Sequence, residues 1–235
     1  MSLPKISHPH YDITVPIVNV KVKIRPMLVK EEKILLMAKQ SDDKADQLNA
    51  IKQVVSNCVV SDIDCNNIPL YQLEYIFIKI RALSVSNKAK VAYRDYEDDQ
   101  VYNFDVDLDK VQLAQSNQVD STVMLSQTVS LTLKPPPTSL YVDKQFFDLS
   151  DDQVFEAVLS ASIDKIFDGD KSYNFAEASK SEISEFINNI PATSYQQIQQ
   201  YFNSLPTLNY EIKYTNTKGT ERTITLSTLD DFFTF

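Results

Sequence analysis

Only two glycines occur in 235 residues, where about 7% is ordinary. Gly169 and Gly219 are isolated, so neither a P-loop nor a dinucleotide-binding turn can be assembled. Both of those need several glycines to bring backbone N–H groups against phosphate. Histidine is confined to His8 and His10, and cysteine to Cys58 and Cys65. Zinc takes four N or S ligands, or three with water. This set does not offer them, because the histidines fall in an N-terminal arm carrying Pro4 and Pro9. Both cysteines read as reduced, half-buried thiols of a cytosolic setting, and no cofactor is implied. No apolar run reaches the roughly 18 residues of a transmembrane segment. The opening MSLPKISHPHYD lacks the basic-then-apolar order of a signal peptide, which predicts a retained, intracellular chain with an extended arm.

The net charge of −9 is unevenly spread. Residues 1–60 hold nine Lys and Arg against six Asp and Glu, a surplus of three, which leaves −12 for the remainder. Non-specific nucleic-acid binding rests on neutralising phosphates, so an acidic chain fits it poorly. The plain reading of the charge is solubility.

With 43% hydrophobic and 10% aromatic side chains, the chain can bury a sizeable core in one large domain or two small ones. The stretch IPLYQLEYIFIKIRAL, Ile68 to Leu83, is read as its central helix. Leu73, Ile76, Phe77, Ile80 and Leu83 recur at helical spacing, and Tyr71, Tyr75 and Ile78 fill much of the other side. Only Glu74, Lys79 and Arg81 carry charge. A helix apolar on nearly all sides belongs inside a domain. Asn67 is its expected N-cap, with Pro69 in the first turn.

Around this helix the pattern alternates between strands and helices. Val18, Val20, Val22 and Ile24 alternate with polar residues up to Pro26, after a separate or edge strand at Ile13–Val15. VKEEKILLMAKQ, Val29 to Gln40, predicts a short helix with Glu31 and Glu32 in its first turn. Ser41 is the expected cap of a second helix, with Ala45, Leu48, Ile51, Val55 and Cys58 on one side. Residues 90–113 read as a β-hairpin whose tip, Asp95-Tyr96-Glu97-Asp98-Asp99, is acidic. Asp105, Asp107 and Asp109 share one face of its return strand. They are read as solvated, because the glycine and terminal Glu of a calcium loop are missing.

Thr122–Lys134 predicts one more strand, and Pro135-Pro136-Pro137 then breaks any sheet. Beyond it, a capping box at Ser150–Gln153 opens a helix expected to run through Ile163, Ile166 and Phe167 to a left-handed stop at Gly169. Ser179–Glu182 opens another, and Thr193–Leu205 a third. The chain closes with a hairpin, Tyr210–Tyr214 and Arg222–Leu226, and a short apolar turn, Leu229–Phe235, that should dock on the core. VAYRDYEDDQVYNFDV and IKYTNTKGTERTITL form a weak internal echo of similar length. The expected fold class is α+β, helices packed with antiparallel β-hairpins and no parallel doubly wound sheet. Two units are expected, residues 1–134 and 138–235; whether they share one core is left open.

Three stretches, KIRPMLVKEEKILLMAKQS, LEYIFIKIRALSV and YFNSLPTLNYEIKYTN…TLDDFF, together resemble the baseplate hub assembly proteins of T4-like contractile-tailed bacteriophages. The resemblance covers nearly the whole chain in the same order. It implies a non-enzymatic protein needed to build the central hub of the tail baseplate, acting in the host cytoplasm and in the virion tail. Its partners would be other phage tail or baseplate hub proteins, with homo-oligomers compatible. Some relatives carry cysteine pairs in such hairpins, in the style of a zinc ribbon; here the tips Asp95–Asp99 and Thr215–Gly219 have none, so no metal is expected. The role can be that of a retained subunit or of a transient chaperone for a tail client such as the tape measure. Exposed hairpin edges suit strand addition. Expected contact residues are Arg25, Lys30, Glu31 and Glu32, where the resemblance centres, with Phe232 and Phe233 of the apolar C-terminal turn.

A rival from another class is a cell-wall hydrolase, which needs paired carboxylates with one pKa raised. Glu31/Glu32, Asp98/Asp99 and Asp230/Asp231 are adjacent pairs, and neighbours on a helix do not share a face. No Ser–His or Cys–His pairing is evident, so no catalytic residue is assigned.

Overall fold

The computed structural model describes residue 4, residues 6–115 and residues 119–233. The rest of the N-terminal arm, and Thr234 and Phe235 of the C-terminal turn, lie outside the described residues. In chain order the elements are β1 (Tyr11–Val15), β2 (Val20–Ile24), α1 (Val29–Ala38), α2 (Lys44–Cys58), α3 (Leu70–Ser84), β3 (Lys88–Arg94), β4 (Val101–Asp107) and β5 (Gln112–Ala114). There follow β6 (Thr122–Met124), β7 (Val129–Leu133), α4 (Thr138–Tyr141), α5 (Lys144–Phe147), α6 (Asp151–Ser162), β8 (Ile163–Asp168) and β9 (Lys171–Tyr173). Last come α7 (Lys180–Asn188), α8 (Ala192–Asn203), β10 (Thr207–Thr215), β11 (Glu221–Leu226) and α9 (Leu229–Phe232). Every strand pairing among the described residues is antiparallel. The fold is α+β.

The elements divide into two compact units, residues 1–114 with 207–235, and residues 115–206. The first is therefore discontinuous in sequence. The Pro135–Pro137 run falls inside the second unit, where Pro136 and Thr138 are buried.

In the first unit α3 is the core. Leu73, Ile76, Phe77, Ile78 and Ile80 are almost wholly buried, as are Tyr71 and Tyr75. They pack with Val54, Val55 and Cys58 of α2, Val106 of β4 and Leu208 of β10. Only Leu83, near the C-terminal end of α3, turns outward. Pro69 itself is the N-cap, not Asn67; its fixed φ suits the entry to a helix, whose first N–H groups lack partners in any case. Asp43, not Ser41, caps α2, its carboxylate accepting from the amides of Ala45 at 2.8 Å and Asp46 at 3.3 Å. Ser41 sits two residues further out and accepts from Asp43 N at 3.2 Å.

β1 and β2 form a hairpin, extended by Arg25 N donating to Cys58 O and Val60 N to Lys23 O. At its tip Val18 N donates to Pro16 O around Ile17, whose φ is 71°. That is the rarer, strained γ-turn, on a β-branched residue. β10 is flanked by β11 and by β5, so the end of the chain is sewn to residues about a hundred positions earlier. Leu229 and Phe232 of α9 are buried in this same core, so the C-terminal turn docks intramolecularly.

The second unit is a four-stranded sheet, β6-β7-β8-β9, over which Leu159, Ile198 and Tyr201 form a separate core with Val123 and Leu131. The expected single strand at Thr122–Lys134 is a hairpin, with Ser126 Oγ accepting from Val129 N in the turn. The expected helix through Ile163–Phe167 ends at Ser162, and those residues form β8, paired with β7. Gly169, at φ 57°, serves the β8–β9 turn. Ile163, Ile166 and Phe167 fit a helix by spacing but favour strands by shape, and the neighbouring β7 decides between them.

Candidate partner-contact site

Glu31 and Glu32 open α1 side by side and face different environments. Glu31 is fully buried. It meets Arg25, with Nη2 to Oε1 at 3.0 Å and Nη1 to Oε2 at 3.4 Å, and its Oε2 also accepts from Leu28 N at 2.9 Å. Arg25 donates further to Pro26 O at 2.9 Å and Asn57 O at 2.8 Å, and lies 3.6 Å from Cys58 Sγ. Burial pushes the Glu31 carboxyl up, but Arg25, the Leu28 amide and Lys30 hold it below the usual range. The bond to Glu31 raises the Arg25 guanidinium in turn, and burial pushes the Cys58 thiol up to about 11. Both cysteines are free and buried. The arrangement ties the end of β2, the start of α1 and the end of α2 together. Lys30 reaches Glu31 from outside at 3.5 Å and is itself exposed.

Glu32, one residue on, is exposed and lines a cleft of about 560 Å³. Leu35, Leu36 and Lys39 of α1 form one wall with it, and Lys88, Ala89 and Lys90 of β3 another. Phe77 and Arg81 of α3, with Phe232 and Phe233 of the C-terminal turn, complete it. The Phe233 ring packs edge-on to Phe77 with centroids 5.9 Å apart, and the Arg81 guanidinium carbon lies 5.9 Å from the Phe233 centroid, within cation–π range. Burial lowers the Arg81 pKa while Glu32 pulls it up. Nη1 of Arg81 is buried without a hydrogen-bond partner among the described residues. Leu36 remains 63% exposed and Val85, also in the lining, 58%.

The six expected contact residues thus separate. Arg25 and Glu31 form the internal knot, with Lys30 at its edge. Glu32, Phe232 and Phe233 meet at the cleft. Arg81, Lys88, Lys90 and Leu36 were not among them. Arg81 had left one signal, a charge on a helix otherwise apolar all round. The other two charges of α3 have different outcomes. Lys79 donates to the carbonyls of Leu108, Asp109 and Val111 at 2.8–3.1 Å. Glu74 is half-buried, and burial with Asp230 and Asp231 nearby pushes its carboxyl up to about 8.

The acidic tip between β3 and β4 is not a solvated turn. It grips the tip between β10 and β11. Tyr214 Oη donates to Asp95 Oδ2 at 2.6 Å, Asn216 Nδ2 to Glu97 Oε2 at 2.7 Å, and Thr217 donates through its amide and hydroxyl to Asp98 at 2.9 and 2.7 Å. Arg222 reaches Glu97 at 2.8 Å and Asp95 at 3.5 Å. Asp95 is 2% exposed. Some desolvation opposes the Asp98 charge, yet Tyr102, Thr217 and the Gln100 amide hold its carboxyl well below the usual carboxylate range. The bond from Tyr214 does the same for Asp95, and those from Asn216 and Thr220 for Glu97. The two hairpins of the internal echo therefore meet at their tips as well as along β4 and β10, and complementary charge, acids on one tip against Lys218 and Arg222 on the other, is the signal that could have paired them. Asp105 is exposed, as expected of a solvated face.

Among the described residues, no group of three or more His, Cys, Asp or Glu could hold a metal ion, and no helix is long and apolar enough to cross a membrane. A family model described as T4 bacteriophage base plate protein matches residues 8–234. No curated protein and no solved structure matches the chain.

Proposed function

This chain belongs to the T4 bacteriophage base plate protein family, and from that premise we propose that it works in assembling the central hub of the tail baseplate through protein–protein contacts, without catalysing a reaction. Membership of the family carries the coarser statement, a structural or assembly role in a phage baseplate. The observation behind the finer one is that the match runs from residue 8 to residue 234 and so takes in both units. The cleft supports a contact role, since it leaves Leu36 and Val85 open beside several cations. Arg25 and Glu31 serve it indirectly, by setting where α1 begins; Glu32, Phe232 and Phe233 serve it at the cleft. Assembly takes place in the host cytoplasm, with other tail proteins as partners.

The carboxylates argue against hydrolysis. A glycosidase needs one acid held protonated beside an ionised partner. Glu31 and Asp98 are instead held ionised by their bonds, and Asp231, within α9, reaches back to accept from the amides of Ser227 and the N-cap Thr228. Glu74 alone has the raised pKa of a general acid, so it is the residue to change: cell-wall lysis that disappears in Glu74→Gln would replace this reading with an enzymatic one.

The deciding experiment is quantitative mass spectrometry of purified, finished tails against a baseplate component of known copy number. A fixed stoichiometry is expected of a hub subunit. Abundance in infected cells with absence from tails would make the chain a transient assembly chaperone, with its client still to be found.

A further inference from the structure

We propose that the cleft between α1 and β3 is the docking site for an acidic, apolar segment of another tail protein, one in which an aliphatic or aromatic side chain is flanked by carboxylates; this rests on the baseplate reading above. Three observations converge on that chemistry. Half-buried Phe233 and the open side chains of Leu36 and Val85, over a floor that includes buried Phe77, offer apolar surface to an incoming side chain, and exposed apolar surface rimmed by charge marks contact sites. The rim has the opposite sign to the molecule: Arg81, Lys88 and Lys90 line the cleft against Glu32, the single acid in the lining among the described residues, in a chain of net charge −9. Asp107 and Asp105 stand opposite Lys88 and Lys90 in the β3–β4 register but do not line it.

The third observation is Nη1 of Arg81, buried with no hydrogen-bond partner among the described residues. An unsatisfied buried donor is costly, and a native one calls for an explanation. A carboxylate entering the cleft would supply one through a charge-assisted bond, for which a guanidinium is well shaped. Phe233, beneath the guanidinium carbon, holds the planar group where it stands. A purely apolar ligand would leave Nη1 orphaned, and a purely anionic one would leave Leu36 and Val85 in water.

The test uses the full chain and fluorescence anisotropy with a short fluorescein-labelled probe peptide in which Phe and Leu alternate with Glu. Binding is expected to this probe, and not to one with Lys for Glu or one with Ser for Phe and Leu. Arg81→Met should weaken binding about tenfold and Leu36→Asp should remove it, whereas Lys213→Met, on β10 away from the cleft, should change nothing. Leu36 is exposed, so its replacement keeps the assay meaningful even if Arg81→Met unfolds the protein, which circular dichroism would reveal. Equal binding of the Lys or Ser probe, or binding indifferent to both variants, would overturn the proposal. So would a concentration-dependent dimer in sedimentation that Leu36→Asp dissolves, since the cleft would then be a self-interface. Probe binding by a chain absent from finished tails would sink the hub-subunit reading alone; presence in tails without probe binding would sink this one alone.

Discussion

Arg25 and Arg81 are served by adjacent glutamates of one helix and meet opposite fates. Glu31 turns inward and clasps Arg25, whose Nη1 and Nη2 also donate to the carbonyls of Pro26 and Asn57. Glu32 turns toward the cleft, where it influences Arg81 through space while Nη1 stays unpaired among the described residues. Residues one apart on a helix lie about 100° apart around it, so the pair Glu-Glu is built to address two sites. A charge with all its bonds made is part of the scaffold, because removing its partner would strand it. A charge with one bond unmade at the edge of an open apolar cleft is where the scaffold has room for something else.

The largest expected effect tests the scaffold side. Glu31→Ala leaves the Arg25 guanidinium stranded and should cost about 3–5 kcal/mol, read from urea denaturation. Replacing both Arg25 and Glu31 with Met should cost less than Glu31→Ala alone, because no unpaired charge remains. If the single and double variants were equally damaged, packing, not charge, would be the knot's contribution. The cleft side predicts the reverse: Arg81→Met should leave stability within about 1 kcal/mol of the parent, because it removes a guanidinium whose Nη1 makes no hydrogen bond among the described residues. A loss as large as that of Glu31→Ala would erase the distinction between the two arginines.

Acid sharpens the comparison next. The carboxyls of Glu31, Asp95, Glu97 and Asp98 sit below their ordinary values in the folded chain. Their contribution to stability is therefore present above the unfolded values, 4.5 for Glu and 3.8 for Asp, and is lost as pH falls below them. Denaturation midpoints should drop through that window, and Asp98→Asn should flatten part of the decline by removing the clasp in advance. Amide exchange at Thr217, which donates to Asp98, should rise in the same variant before the core amides of α3 respond.

Base completes the comparison through Glu74, whose carboxyl is pushed up to about 8 from the ordinary 4.5. Between those values the unfolded chain has released a proton that the folded chain retains, so raising pH disfavours folding. Glu74→Gln should raise the melting temperature near pH 9 and do little near pH 4. An equal gain at both would mean that the carboxyl is not strained by its surroundings.

Much of this molecule could be read directly from local pattern. The all-round apolar character of Leu70–Ser84 determined that it would be a core helix, and it is. The alternation in Val20–Ile24, the capping box at Ser179–Glu182 and the hairpin around Gly219 each depend on neighbours a few residues away, and each was legible for that reason. Where two local solutions scored alike, as for Ile163–Phe167 between helix and strand, the pairing with β7 chose. The same holds for Thr122–Lys134, which turns through Ser126 so that β7 lies between β6 and β8. Non-local pairing alone joined β5 to β10, and made one core from residues 1–114 and 207–235 while residues 115–206 built another. It also turned the acidic tip of β3–β4 from a solvated loop into a clasp, and sent Glu31 and Glu32 to different partners. Burial and hydrogen-bond satisfaction are properties of what stands opposite a side chain, and for Arg25, Asp95 and Arg81 those partners come from distant stretches. The sequence alone could therefore determine which charges were present, but only the tertiary structure decided which would be spent inside the fold and which would be left for a partner.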